Sequence, residues 1–186
     1  MDTALLERAK NALGIEGVFL RAGEIHCRTG FMPRFIEEDM SLVPQYRALS
    51  KGEFHVVTAD VKGTGDRKTT VLFFYETAVR LVDGPTPEAT ETATNLGEDV
   101  AYVEIAATFC AQYSLDGNGV PEEDEALRSA LETFGRYNVG YHVWPYWREY
   151  VQNTCARMGI PPIPVPMYRL PGSSAPNADR TSESTP

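Results

Sequence analysis

The chain has 186 residues, of which 42% are hydrophobic and 23% are charged, and its formal net charge is −9. This composition is typical of one globular domain with its own core and excludes a largely disordered chain. The acidic balance argues against a nucleic-acid partner, because phosphates are held by basic side chains. Without an apolar run of about 18 residues or an N-terminal export signal, we expect a cytoplasmic protein that does not enter a membrane.

Cysteine and histidine give little support for a metal site. The chain has three residues of each type, scattered along its length: Cys27, Cys110, Cys155, His26, His55 and His142. No two cysteines have Cys-x-x-Cys spacing, and adjacent residues on a strand point to opposite faces. We therefore expect no metal and no cofactor, and thiols that pack as small hydrophobic groups.

Acidic residues concentrate in two stretches, 83–99 and 116–125, each of which holds five acids and no base. The remainder of the chain is close to neutral. We interpret both stretches as solvated loops that keep the protein soluble, and a docking patch for a basic partner is the alternative.

The N-terminal part begins with an amphipathic helix, predicted over residues 2–13, whose apolar residues recur at helical spacing before Gly14. A strand follows over 18–28. Residues 31–49 are interrupted by Pro33 and Pro44, so they are predicted to form a crossover with one helical turn.

Three further strands are predicted over 53–61, 69–82 and 102–115. The last has the clearest pattern, because apolar residues such as Val103 and Ile105 alternate with smaller or polar ones along its length. A period of two predicts a sheet with one face in the core and one wetter face.

Two helices and an extended segment complete the predicted domain. The first helix begins at Pro121 and the acids that follow it, and the second begins near Trp144, with Pro145 in its first turn, and ends at Gly159. The proline-rich residues 160–166 must be extended. The prediction is an α+β domain with a four-stranded antiparallel sheet over residues 1–170, followed by a disordered tail at 171–186.

A search for catalytic motifs finds no convincing active site. The sequence has no Gly-x-Ser-x-Gly, no phosphate-binding Gly-x-x-x-x-Gly-Lys and no His-Glu-x-x-His. Glu76 and Glu104 are candidates for a carboxylate pair, but their strand positions place them with solvated side chains. We expect no catalytic residues and no enzymatic activity.

The chain has more aromatic residues than one monomeric core requires. Six of them lie close together in and before the second C-terminal helix: Tyr137, Tyr141, Trp144, Tyr146, Trp147 and Tyr150. A single helical stripe is too narrow to bury them all. The surplus predicts either an oligomer interface or a binding groove.

Three segments resemble the C-terminal half of the SecB chaperone family: residues 134–137 (Phe-Gly-Arg-Tyr), 144–149 (Trp-Pro-Tyr-Trp-Arg-Glu) and 157–165 (Arg-Met-Gly-Ile-Pro-Pro-Ile-Pro-Val). The strand that ends at 111–115 is also similar to the family's fourth strand. The resemblance covers about residues 53–166 and implies a SecB-like sheet with the helices packed on one side. It also implies an ATP-independent holdase that assembles as a homotetramer, a dimer of dimers.

Two departures indicate a particular branch of that family. The sequence lacks the second amphipathic helix that precedes the motor-binding tail of export members, which puts contact with the translocase motor in doubt. It also has an N-terminal helix, and the amino-acid sequence of residues 144–151 is similar to that of the SecB-like chaperones encoded with toxin–antitoxin pairs. The resemblance therefore implies an antitoxin or another unfolded polypeptide as client, and possible disturbance by phage infection.

The predicted sites follow from this resemblance and from the surplus apolar residues. Clients are predicted to bind as extended segments against eight residues: Leu5, Leu6, Phe54, Val56, Leu72, Phe74, Ile160 and Ile163. The oligomer interface is predicted at five residues: Tyr141, Trp144, Trp147, Val151 and Cys155. A general SecB-type export chaperone is the alternative function, and a small-molecule-binding or enzymatic α+β domain is the second alternative.

Overall fold

The structure, a computed structural model, describes residues 2–35, 41–63, 66–83, 101–116, 121 and 123–168. The elements in chain order are α1 (Thr3–Ala12), β1 (Leu13–Cys27), β2 (Leu42–Leu49), β3 (Phe54–Asp60), β4 (Arg67–Asp83), β5 (Ala101–Leu115), α2 (Glu125–Tyr137) and α3 (Val139–Met158), with a 3₁₀ turn at Pro33–Phe35. The α+β prediction is confirmed. The predicted tail at 171–186, most of the acidic stretch 83–99 and part of the stretch 116–125 lie outside the described residues.

Helix α1 forms where its sequence pattern predicts it. The carboxylate of Asp2 accepts hydrogen bonds from the backbone N–H groups of Ala4 and Leu5, at 3.0 and 3.2 Å, which caps the first turn. β1 follows without a loop at Leu13, five residues before the predicted start of the strand at 18. Leu13, the last residue of the predicted helix, therefore belongs to the strand.

Within the described part of the chain, the sheet is antiparallel throughout and has five strands in place of the predicted four. Its order is β1-β5-β4-β2, and β3 pairs with the other half of β4. The long β4 holds two partners along one side, β3 against 67–73 and β2 against 76–83.

The prediction of a crossover over residues 31–49 is wrong for its second half, which forms β2. Pro44 lies within β2 and pairs with Leu81 of β4. In the described sheet, β2 is an edge strand with one neighbour, and an edge position tolerates a residue that has no N–H to donate. Proline therefore removes one N–H donor from the strand but does not prevent the strand from forming.

The two faces of the sheet differ as the alternation in β5 predicts. Every odd-numbered residue of β5 is buried and every even-numbered residue is half-buried. The odd-numbered side, which we call the helix face, is packed against α2 and α3 through contacts such as Phe73 with Phe134 and Tyr113 with His142. The other side, which we call the open face, carries the even-numbered residues of β5.

Both C-terminal helices differ from their predicted starts. Asp124 caps α2 by accepting the N–H of Leu127 at 2.9 Å, so Pro121 precedes the helix and is not in its first turn. Helix α3 begins at Val139, five residues before Trp144, and Pro145 lies inside it. Burial of Val139 in the core stabilises the early turns despite the proline. Gly159 ends the helix in a left-handed conformation with φ of 72°, as predicted.

Candidate functional site

A metal-ligand cluster, a membrane-spanning helix and a carboxylate pair are each absent from the described residues. Among them, no three His, Cys, Asp or Glu side chains converge as metal ligands, and no helix has the length and apolar character of a membrane span. Glu76 lies opposite Thr108, whereas Glu104 lies opposite Arg80. The two glutamates are therefore separated by four strand positions, roughly 13 Å, and form no carboxylate pair.

The predicted client residues on the sheet lie on two different faces. Phe54 is opposite Phe73 on the helix face, whereas Leu72 is opposite His55 on the open face. Because directly opposed residues of antiparallel strands point to the same side, Val56 belongs with Phe54 on the helix face and Phe74 with Leu72 on the open face. One groove in a single chain does not contain all four.

Phe54 and Val56 line a groove between β3 and α2, which we call the β3–α2 groove. Its volume is about 290 Å³, and its lining residues are Glu53, Phe54, Val56, Pro121, Arg128 and Glu132. The ring of Phe54 packs on that of Phe73, with centroids 5.9 Å apart. This contact fixes Phe54 as the apolar floor of the groove. Arg128 and Glu132 form an ion pair of 3.3 Å, so the groove has an apolar floor and a polar rim.

Ile160 and Ile163, also predicted to bind clients, lie in the core of the chain. Their side chains are 5% and 4% exposed. They belong to residues 160–168, which follow α3 in extended form and which we call the strap. Within one chain, the strap offers these two aliphatic side chains to the core and not to a second polypeptide.

The carbonyl groups of the strap are also engaged within the chain. The Tyr46 hydroxyl donates to the carbonyl of Pro164 at 2.6 Å, and the Trp144 indole N–H donates to that of Pro166 at 2.7 Å. The strap is thus tied to β2 and to α3. Intrachain donors therefore occupy both of these carbonyl groups.

Helix α1, which carries Leu5 and Leu6, packs mainly against α2. Leu6 is buried in the core and Leu5 is half-buried. Arg8 donates to Asp124 at 2.6 Å, which joins α1 to the beginning of α2. Of these two predicted client residues, Leu5 therefore retains some accessible surface.

The predicted interface residues on α3 are mostly internal to the chain. Trp147, Val151 and Cys155 are no more than 1% exposed, because α3 packs directly on the helix face of the sheet. Trp144 is half-buried under the strap, and Tyr141 is 58% exposed. Among these five residues, Tyr141 offers the largest free surface.

An apolar surface that the sequence reading missed lies on β1. Four large apolar side chains of this edge strand are 50–54% exposed: Ile15, Phe19, Leu20 and Ile25. The weak alternation of β1 could have indicated this surface. Apolar residues occupy both odd and even positions of this strand, which has a partner on one side only, so some of them remain exposed.

A second cavity, which we call the junction cavity, lies where α1 meets β1 and α2 meets α3. Its volume is about 400 Å³, and it is lined by Lys10, Leu13, Ile15, Tyr113, Phe134, Asn138, Tyr141 and His142. The hydroxyl of Tyr113 and Nδ1 of His142 are 2.7 Å apart. Burial raises the pKa of Tyr113 and lowers the pKa of His142, so both side chains are neutral at pH 7.

Comparison with known proteins identifies the fold. No family model and no curated protein matches the chain. Among solved structures, the chain is similar to the Mycobacterium tuberculosis Rv1957 SecB-like chaperone in complex with a ChAD peptide from the Rv1956 HigA1 antitoxin. The identity is 15% and the TM-score 0.58, over 91% of this chain and 99% of that chain. A likeness at this identity shows the fold and leaves activity to be argued from the site. The protein has the fold of the SecB-like chaperones.

Proposed function

We propose that the protein is an ATP-independent holdase that binds extended, non-native segments, foremost the antitoxin of a toxin–antitoxin–chaperone system. The observation that carries the proposal is the near full-length similarity to a SecB-like chaperone in complex with an antitoxin peptide. The N-terminal helix and the sequence of residues 144–151 support the toxin–antitoxin-associated branch of the family. The proposal includes a cytoplasmic location and a response to phage infection.

The accessible apolar surface supports this proposal physically. A holdase needs apolar side chains that remain partly exposed in its folded state, so that they can replace water around an apolar client segment. The β3–α2 groove provides Phe54 and Val56 with a charged rim of Arg128 and Glu132. A net charge of −9 keeps such a protein soluble despite these exposed groups.

A holdase assay with groove variants tests the proposal. We expect the purified protein, without ATP, to suppress aggregation of a chemically denatured model enzyme as followed by light scattering. Phe54→Ser with Val56→Ser should weaken client binding about tenfold or more, because each buried apolar side chain contributes about 1.5–3 kcal/mol.

Val57→Ser is the matched control, because Val57 is on the same strand but on the open face and should leave binding within twofold of wild type. Co-expression with the antitoxin encoded nearby should keep that antitoxin soluble. Suppression of model-enzyme aggregation without any effect on the antitoxin would favour the general export chaperone. Failure in both assays would contradict the holdase itself.

We further propose that the protein assembles as a homotetramer. Two exposed apolar residues of the β1 edge, Leu20 and Ile25, support association, and they lie on its helix face, opposite Phe109 and Ile105. Light scattering coupled to size exclusion should give four times the monomer mass of 20.6 kDa. Leu20→Glu with Ile25→Glu should lower that mass, because buried charge opposes association. A monodisperse wild-type monomer at micromolar concentration would contradict the assembly.

A further inference from the structure

None of the predicted client-binding residues lines the junction cavity, yet its size and lining are those of a binding site. Its volume of about 400 Å³ lies near the lower end of the range found for ligand sites. A cavity of that size suits one bulky side chain and its adjoining peptide group. Two apolar residues at its margin, Ile15 and Tyr141, are 50% and 58% exposed, so the cavity is open to solvent.

The walls of the cavity are aromatic and held in fixed positions. The rings of Tyr113 and Phe134 meet edge to face with centroids 5.3 Å apart, and the Tyr141 ring contacts His142 at 5.6 Å in the same manner. Tyr113 is 1% exposed and Phe134 is 2% exposed. Aromatic edges and faces arranged in this way favour a further aromatic or bulky aliphatic group.

The Tyr113–His142 hydrogen bond leaves one donor for a ligand. Because Tyr113 is buried and its hydroxyl has His142 as its described partner, the hydroxyl proton is satisfied when it is donated to Nδ1. A neutral imidazole then carries its own proton on Nε2. In the described structure no hydrogen bond is formed by Nε2 of His142, so this N–H is available to a peptide carbonyl.

The charges around the cavity select against a cationic side chain. Lys10 lines it and forms an ion pair with Glu7 at 2.9 Å, and Glu7 is not among the lining residues. Asn138 is uncharged, and burial raises the pKa of Tyr113, which keeps its hydroxyl neutral. A lysine or arginine entering the cavity would lose hydration and find no lining carboxylate to pair with.

We propose that the junction cavity binds one bulky apolar side chain of an extended client, and that the Nε2–H of His142 donates to a backbone carbonyl beside that side chain. The inference deepens the proposed holdase function and rests on it. Ile15, Phe134 and Tyr141 supply the apolar contacts, while His142 acts as the group that orients the client backbone.

Peptides that differ at one position test the proposal. The probe is a fluorescein-labelled peptide of glutamine, serine and threonine with one central phenylalanine, and its counterparts carry alanine or lysine at that position. We expect the phenylalanine peptide to bind about tenfold or more tightly than the alanine peptide. The lysine peptide should bind no better than the alanine peptide.

Two variants separate the cavity from the β3–α2 groove. Ile15→Trp narrows the cavity from its half-exposed margin, and it should reduce binding of the phenylalanine peptide to the level of the alanine peptide. His142→Phe keeps a ring but removes the N–H, and it should weaken all three peptides about three- to tenfold. Thermal unfolding of each variant verifies that it folds, and Val56→Ser serves as the variant of the other groove.

The ¹⁵N chemical shifts of the histidine rings report direct contact with the peptide. A purely structural role of His142 would leave its Nε2 shift unchanged when the peptide binds. The chain has three histidines, so their ring ¹⁵N resonances are few enough to assign by substitution. Binding of the phenylalanine peptide should shift Nε2 of His142. His26 and His55 belong to the open face through their pairing with Glu104 and Leu72 and should not shift.

Several results would overturn this proposal. Equal affinity for the phenylalanine and alanine peptides, or unchanged affinity in Ile15→Trp, would do so. A change in oligomer mass in Ile15→Trp without loss of peptide binding would assign the cavity to a second copy of the chain. If aggregation is suppressed and is sensitive to Phe54→Ser with Val56→Ser but not to the cavity variants, only the cavity proposal fails. If wild type neither suppresses aggregation nor binds any peptide, both proposals fail.

Discussion

Replacing Trp147 by alanine should lower the free energy of unfolding by about 3–5 kcal/mol, the range observed when a large aromatic residue is deleted from a core. Trp147 is 1% exposed, and its ring stacks on Tyr150 with centroids 6.2 Å apart. Tyr150 in turn meets Phe109 of β5 edge to face at 6.3 Å. Truncation therefore leaves a void between α3 and the sheet, which urea unfolding monitored by circular dichroism would measure.

Trp144→Ala is the matched control for this prediction. Trp144 lies on the same helix but is half-buried, with its indole N–H donating to Pro166 and its ring 5.3 Å from that of Tyr168. Its loss loosens the strap and should cost less than the loss of Trp147. If Trp147→Ala instead dissociates the oligomer while subunit stability stays at the wild-type level, the residue belongs to an interface and the core assignment is wrong.

Gly135→Ala should destabilise the protein by about 1–3 kcal/mol, the usual cost of overpacking a core. In an unhindered helix the same change would stabilise by about 1 kcal/mol. Here, however, a Cβ on Gly135 would lie 2.8 Å from two ring carbons of Phe73 and 3.1 Å from Cα of Gly52. Phe73 is fully buried, so its ring has little room to move.

The neighbouring substitution Arg136→Ala is the control, because Arg136 is on the same helix and exposed. It should change stability by no more than about 0.5 kcal/mol. Thermal unfolding of both variants gives the comparison. A Gly135→Ala protein as stable as wild type would show that Phe73 and α2 separate without cost.

Local pattern was sufficient for much of the fold. The alternation in β5 predicts both of its faces, because a strand of period two divides its side chains between core and solvent wherever the sheet is covered on one side. Gly159 predicts the end of α3 for a similarly local reason, since glycine adopts the positive φ that closes a helix. The recognition of a SecB-like fold rests on the segments of α2, α3 and the strap.

The candidate site was predictable only in part. Two of the predicted client residues, Phe54 and Val56, lie together in the β3–α2 groove. Leu72 and Phe74 fall on the opposite face because register, which depends on the pairing partner, decides which parity of β4 faces the helices. The junction cavity combines residues from five elements, so no contiguous sequence motif predicts it.

The sequence by itself determined the class of elements, the two-faced pattern of the sheet and the end of α3 at Gly159. Only the tertiary structure decided that residues 42–49 form an edge strand, that α3 begins at Val139, and that Ile160 and Ile163 are core residues. Each of these outcomes depends on a partner distant in the chain: β4 for Pro44, the helix face for Val139, and β2 with α3 for the strap. Burial against such partners outweighs local propensity, because the free energy gained by covering an apolar side chain, about 1.5–3 kcal/mol, exceeds most differences in propensity.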